Sequence, residues 1–291
     1  MKSAFADLPN GIRLHTVSEG SGKLILFVHG FPEFWYEWKD QLAEFGRDHL
    51  AVALDMRGYN LSAKPAEVAA YKARHLVEDL RQLANHMGHE RFVLVAHDWG
   101  GAVAWNFAAA HPGRLDKLVI VNAPHPVTFA RELRDNPAQQ RASAYMNLFR
   151  SDKAERVLSE NHCQRLRRMT LDAWAANGGR ASEQDHRAYL DAWTQPGALT
   201  GGLNYYRASP LHPPDESGSA IPAINPDAFR VSVPTLVIWG ERDEALLPGN
   251  LDGLEELVSD LRVERIPDGS HWVVHEQPDR VNALIRRFLS S

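Results

Sequence analysis

Ala96-His97-Asp98-Trp99-Gly100-Gly101 is the stretch that decides how this chain is read. The residues before it, Arg91-Phe92-Val93-Leu94-Val95-Ala96, are apolar and β-branched and predict a buried strand. The residues after it, Ala102-Val103-Ala104-Trp105-Asn106-Phe107-Ala108-Ala109-Ala110, predict a helix. Asp98 therefore stands on the turn between them, with a small residue two before it, Ala96, and glycines at 100 and 101. A sharp strand-to-helix turn strains the backbone and leaves no space for bulky neighbours, so small residues at these offsets are what such a turn requires. An aspartate here can serve simply as a helix N-cap. The strand, the small-residue spacing and the partners found downstream favour a nucleophile instead. A carboxylate can displace a leaving group from a saturated carbon and form an alkyl ester, which points to an epoxide or an alkyl halide as the electrophile.

Working outward, a strand-like stretch at Ile12–Val17 precedes Leu24-Ile25-Leu26-Phe27-Val28, a continuous apolar run typical of a strand covered on both faces. That run ends in His29-Gly30-Phe31-Pro32. Further strands are expected at Ala51–Asp55, Leu115–Val121, Val233–Gly240 and Leu261–Ile266, and helices at Leu76–Met87 and Asp279–Leu289. This alternation is that of a mostly parallel, doubly wound α/β sheet. From Asn122-Ala123-Pro124-His125-Pro126 to about Phe229 the pattern changes to helical stretches around 137–149, 152–158, 164–176 and 183–193, closing in a Pro- and Ser-rich loop, Pro210 to Pro222. The expected organisation is a core of residues 1–126 and 230–291 interrupted by a helical cap of residues 127–229, with ligands bound where cap and strand ends meet.

Composition narrows the function. With 291 residues, 44% hydrophobic and 24% charged, the chain can bury a sizeable core. A formal net charge of −5 with no basic block excludes a nucleic-acid footprint. No apolar run approaches a membrane span and Met1–Asp7 holds no apolar segment, so a cytoplasmic protein is expected. The single Cys163 forms no intrachain disulfide, and the fourteen histidines show no metal-binding spacing, so neither metal nor cofactor is expected. Asn60-Leu61-Ser62 matches a glycosylation acceptor without consequence in that compartment. Gly20-Ser21-Gly22-Lys23 precedes a strand and lacks the phosphate-loop motif.

Two further strand ends complete a constellation. Glu241-Arg242-Asp243-Glu244 follows one strand, and Pro267-Asp268-Gly269-Ser270-His271-Trp272 follows the next. His271, at the strand exit, is favoured over His275, which belongs to the following helix. Asn122 ends the strand after the elbow helix, where an amide cannot act as the acid. The order Asp98, Asp243, His271 is that of nucleophile, acid and histidine in α/β-hydrolases.

With these pieces together, nearly the whole chain resembles the α/β-hydrolase fold epoxide hydrolases. The matching segments are His29-Gly30-Phe31-Pro32-Glu33-Phe34-Trp35, His97-Asp98-Trp99-Gly100-Gly101, Asn122-Ala123-Pro124-His125-Pro126, Gly240-Glu241-Arg242-Asp243 and Gly269-Ser270-His271-Trp272. The resemblance implies two cap tyrosines that hold the epoxide oxygen, Tyr145 and Tyr206, and an oxyanion hole from the backbone N–H groups of Phe31 and Trp99. Trp99, Phe34, Trp35 and His97 are expected to contact a small apolar substrate. Opening the ring to a vicinal diol would proceed through an Asp98 ester, hydrolysed by water that His271 and Asp243 activate. The chain is expected to be a monomer or homodimer. Two alternatives remain. A haloalkane or haloacetate dehalogenase would use the same Asp98, but Phe31 stands where a halide-binding Asn is expected, and Arg141 or Arg207 would have to clamp a haloacetate carboxylate. A non-catalytic ligand-binding receptor on the same fold is the other.

Overall fold

The computed structural model describes residues 1–215 and 220–291. Its frame is an eight-stranded sheet in the order β1-β2-β4-β3-β5-β6-β7-β8, formed by β1 (Lys2–Asp7), β2 (Arg13–Glu19), β3 (Leu24–Val28), β4 (Leu50–Leu54), β5 (Phe92–His97), β6 (Leu115–Val121), β7 (Thr235–Gly240) and β8 (Leu261–Ile266). From β4 to β8 all neighbours are parallel, while β1 and β2 are antiparallel to what they pair with. Every residue of β3, β5 and β7 is buried, as the uninterrupted apolar runs require of strands covered on both faces. Edge strand β1 carries exposed residues at all but one position, which is why no apolar run signals it.

The helices are α1 (Lys39–Phe45), α2 (Ala73–His86), α3 (Asp98–Ala110), α4 (Pro126–Asp135), α5 (Pro137–Ala142), α6 (Tyr145–Arg150), α7 (Ala154–Met169, kinked at 160–163), α8 (Leu171–Ala176), α9 (Glu183–Trp193), α10 (Ala198–Ala208), α11 (Val273–Glu276) and α12 (Pro278–Leu289). Helices α4 to α10 lie between β6 and β7, and among the described residues no named strand interrupts them. The expected 137–149 helix is broken at Ser143 into α5 and α6. Three helices carry no expectation from the sequence: α1, α4, whose Pro126 takes the tolerated first-turn position, and α10.

Helix α10 contains Gly201-Gly202, a pair that weakens helices by propensity. Packing explains both residues. A Cβ on Gly201 would lie 2.3 Å from the carbonyl oxygen of Gly58, and one on Gly202 would lie 2.9 Å from the Phe31 ring. The glycines let the helix that carries Tyr205 and Tyr206 press directly on the core. The loop expected from Pro210 to Pro222 is without helix or strand where it is described, and its residues 216–219 lie outside the described residues. Among the described residues no helix is long and apolar enough to cross a membrane.

Candidate active site

The turn after β5 has the geometry its sequence demands. Asp98 adopts φ +48, a conformation an L-residue holds only where its surroundings enforce it. The enforcement is steric: a Cβ on Gly100 would fall 2.3 Å from the carbonyl oxygen of Val28, and one on Gly101 would fall 2.2 Å from the Cβ of Ala123. A Cβ on Gly30 would collide with the Asp98 side chain at 2.3 Å. Three glycines thus let the Asp98 carboxylate sit between β3 and β5, where the N–H of Phe31 donates to its Oδ1 at 2.8 Å. Trp99 is the second residue of α3, in the first turn, where the N–H groups have no intrahelical acceptor.

Asp243 and His271 arrive from the ends of β7 and β8. His271 Nδ1 donates to Asp243 Oδ2 at 2.7 Å, and its Nε2 faces Asp98 Oδ2 at 3.7 Å. Asp243 is fully buried but saturated with donors: Oδ1 accepts the N–H groups of Ala245 and Leu246, and Oδ2 also accepts from the Asn122 amide at 2.8 Å. Burial alone would raise the pKa of Asp243, yet His271 and these donors outweigh it and hold the carboxyl below its usual value. Burial likewise works against the imidazolium of His271, but Asp243 first and Asp98 after it raise its pKa to about 9. His275, the competing histidine on α11, instead packs its ring 3.8 Å from that of Trp174 on α8.

Asp98 opens into a cavity of about 480 Å³, within the size range of small-molecule sites. Trp99, Tyr145 and Tyr206 line it, with apolar walls from Leu76, Val103, Phe129, Met146 and Leu246. Tyr206 meets Trp99 edge to face at 5.0 Å, and Tyr145 lies 6.3 Å from Tyr206. Burial, and then neighbouring charge and hydroxyls including Asp98, push both phenols above their ordinary pKa, so both remain hydrogen-bond donors. The adjacent Tyr205 also lines the cavity, but its hydroxyl donates to the carbonyl of Arg57, which commits it to packing.

The expectation that Phe34, Trp35 and His97 contact substrate is corrected, since none of them lines this cavity. Phe34 is buried between Tyr36 and Tyr189, and the N–H of Trp35 is held by Asp55. His97 points beneath the turn with no exposed surface, as the alternation of side chains along a strand requires of the residue next to Asp98. Among residues the sequence reading missed, Ala102 and Asn106 follow Asp98 at helical intervals of four and line the cavity, a placement the spacing alone could have given. Arg207 is bound to Glu155 by both terminal nitrogens, and neither it nor Arg141 lines the cavity.

Residues 23–278 match the family model described as alpha/beta hydrolase fold. Epoxide hydrolase 2 of Caenorhabditis elegans is 37% identical over 98% of this chain and 79% of its own length. The chain belongs to the α/β-hydrolase fold epoxide hydrolases. Among solved members, an epoxide hydrolase of Bacillus megaterium in complex with an inhibitor superposes with a TM-score of 0.91 at 38% identity, covering 99% of this chain and 100% of that one. A variant of the same Bacillus megaterium enzyme, complexed with its product (R)-3-[1]naphthyloxy-propane-1,2-diol, gives 0.91 at 37% identity with the same coverage.

Proposed function

We propose that this epoxide hydrolase family member converts a small apolar epoxide to its vicinal diol in two steps at Asp98, beneath a cap formed by residues 127–229. In the first, Asp98 Oδ2 attacks the less hindered ring carbon and the carbon–oxygen bond of the ring breaks. The hydroxyls of Tyr145 and Tyr206 hold the departing oxygen, which is a poor leaving group without such donors. In the second, His271 takes a proton from water, and the water oxygen attacks Cγ of the ester. The oxyanion forms on Oδ1, where the Phe31 N–H already points and the Trp99 N–H is the second donor. Collapse releases the diol with the former Oδ2.

The electrostatics suit this order. While Asp98 is anionic, His271 has a pKa of about 9 and is protonated at neutral pH. Esterification removes the Asp98 charge, which is one of the influences raising that pKa, so forming the intermediate shifts the imidazole toward the free base that the second step needs. The observation that carries the reading is Asp98, with Oδ1 on the Phe31 N–H and Oδ2 facing His271, opening into one cavity with the buried Tyr206 and the half-buried Tyr145. The Arg207–Glu155 pairing leaves the haloacetate reading without its clamp. The deciding assay scores diol from styrene oxide and phenyl glycidyl ether against halide from chloroacetate, with Asp98→Ala as the blank. Diol that the variant abolishes is the expected result; halide without diol overturns it.

A further inference from the structure

Beneath the nucleophile lies a polar cluster that the two steps above do not use. The side chains of Glu37 and His97 are 0% and 1% exposed, and His97 Nδ1 stands 2.5 Å from Glu37 Oε1. The other Glu37 oxygen accepts the N–H of Gly30 at 3.3 Å, in the loop that presents Phe31. On its far side, His97 Nε2 lies 3.0 Å from the carbonyl oxygen of His271, and the two imidazole rings are 4.7 Å apart.

The position of one proton follows from these contacts. A carbonyl only accepts, so His97 Nε2 carries a hydrogen. Burial, reinforced by His271 beside it, lowers the pKa of His97 to about 4, which leaves the ring neutral and Nδ1 bare. Two bare lone pairs at 2.5 Å would repel, so the hydrogen between them belongs to Glu37. Burial and the neighbouring Glu33 carboxylate raise the pKa of Glu37 well above its ordinary value, which favours the acid form. Glu33 is equally buried, but its charge is met by His275 at 3.3 Å and by the hydroxyl of Tyr189. Of the two inner carboxyls, Glu33 is ionised and Glu37 is an acid.

We propose that Glu37 is a positioning residue for ester hydrolysis: its carboxylic acid fixes the His97 tautomer whose Nε2–H clamps the carbonyl of His271, and its second oxygen ties that clamp to the Gly30–Phe31 loop. Alkylation needs only the Asp98 carboxylate and the tyrosines. Water attack needs His271 aimed at the ester and the Phe31 N–H aimed at Oδ1 at once, and Glu37 links the two loops that carry them. The inference rests on the epoxide reading for its chemistry and on the tautomer for its geometry, and the two are tested separately.

Wild-type diol formation from phenyl glycidyl ether is scored first, and its absence sinks the epoxide reading. Intact mass and rapid-quench measurements then follow the alkyl-enzyme in two variants. Glu37→Gln, neutral and able both to donate and to accept, is expected to hydrolyse the ester within about threefold of wild type with the same pH profile. Glu37→Leu is expected to alkylate normally but to hydrolyse about tenfold to a hundredfold more slowly, so that the ester accumulates. Hydrolysis unchanged in the leucine variant, or equally slow in both with a shifted pH profile, overturns the proposal. Nitrogen-15 histidine spectra of the wild type supply the reading that needs no variant to fold. His97 must show a neutral ring with Nε2 protonated and Nδ1 bare at pH 7, and an imidazolium or the opposite tautomer overturns the proposal.

Discussion

Replacing Asp243 by Asn separates the two half-reactions, and the hydrogen bonds around it set the size of the effect. Oδ1 accepts the N–H groups of Ala245 and Leu246, while Oδ2 accepts from Asn122 Nδ2 and His271 Nδ1. In the variant the amide oxygen is kept by the two backbone donors, so the amide NH2 must face Asn122 and His271. Two donors cannot share that position, and His271 yields by moving its proton to Nε2, leaving Nδ1 as an acceptor. The nitrogen that faces Asp98 then carries hydrogen and cannot take a proton from water. The loss of the Asp243 charge also removes the largest influence raising the His271 pKa. A triad histidine in the wrong tautomer loses about 10⁴ in kcat, an effect the chymotrypsin-type proteases exemplify, so ester hydrolysis should fall by roughly 10³ to 10⁴.

Alkylation needs no base and survives. The assay is intact-mass spectrometry after adding excess phenyl glycidyl ether, paired with diol quantification in the same tube. The expected result is nearly stoichiometric alkyl-enzyme with diol near background. Turnover within about tenfold of wild type would refute the assignment of Asp243 to orienting His271, because no donor geometry at this site would then matter to hydrolysis. Absence of the adduct in a folded variant would refute Asp98 as the nucleophile.

Three further outcomes are expected. Tyr206→Phe and Tyr145→Phe each remove one donor to the departing oxygen, so each should slow alkylation by about 10²-fold with little change in ester hydrolysis, as pre-steady-state quench will show; equal slowing of both steps would count against the role. The folded His271 pKa of about 9 lies above the ordinary histidine value, so its contribution to stability is full below about pH 6.5 and is lost as pH rises through about 9. Melting temperatures from pH 6 to 10 should therefore fall more steeply for wild type than for His271→Gln, and parallel curves would contradict the pairing. Gly201→Ala would set a methyl group 2.3 Å from the Gly58 carbonyl oxygen, backbone against helix; a loss of about 1–3 kcal/mol in denaturant unfolding and a raised KM are expected, whereas unchanged values would mean that α10 does not seat on the core as described.

What was legible in the sequence is what contiguous residues enforce. The Asp98 turn could be read because Gly100 and Gly101 meet Val28 and Ala123 at distances no side chain survives, Asp243 because it follows an apolar run that had to be a strand, and His271 because it follows the alternating strand Leu261–Ile266. The errors came where a side chain's role depends on partners far along the chain. Phe34 and Trp35 sit in a motif beside the site, and aromatic content suggested pocket walls; the Tyr36 and Tyr189 rings instead take up Phe34, and Asp55 holds the N–H of Trp35. Helix α10 carried no expectation, and the low helix propensity of Gly201-Gly202 does not register that Gly58 lies against it. Glu33 and Glu37 belong to the same class. In sequence two acids four apart look like a solvated helix face, and only the approach of His97, Tyr189 and His275 from three other segments makes burial tolerable. A buried acid is stable only as part of a complete set, so the residues that hold this site together are less legible than those that open onto its cavity. A nucleophile must be presented by its own turn, whereas a supporting carboxyl is defined by whatever folds over it.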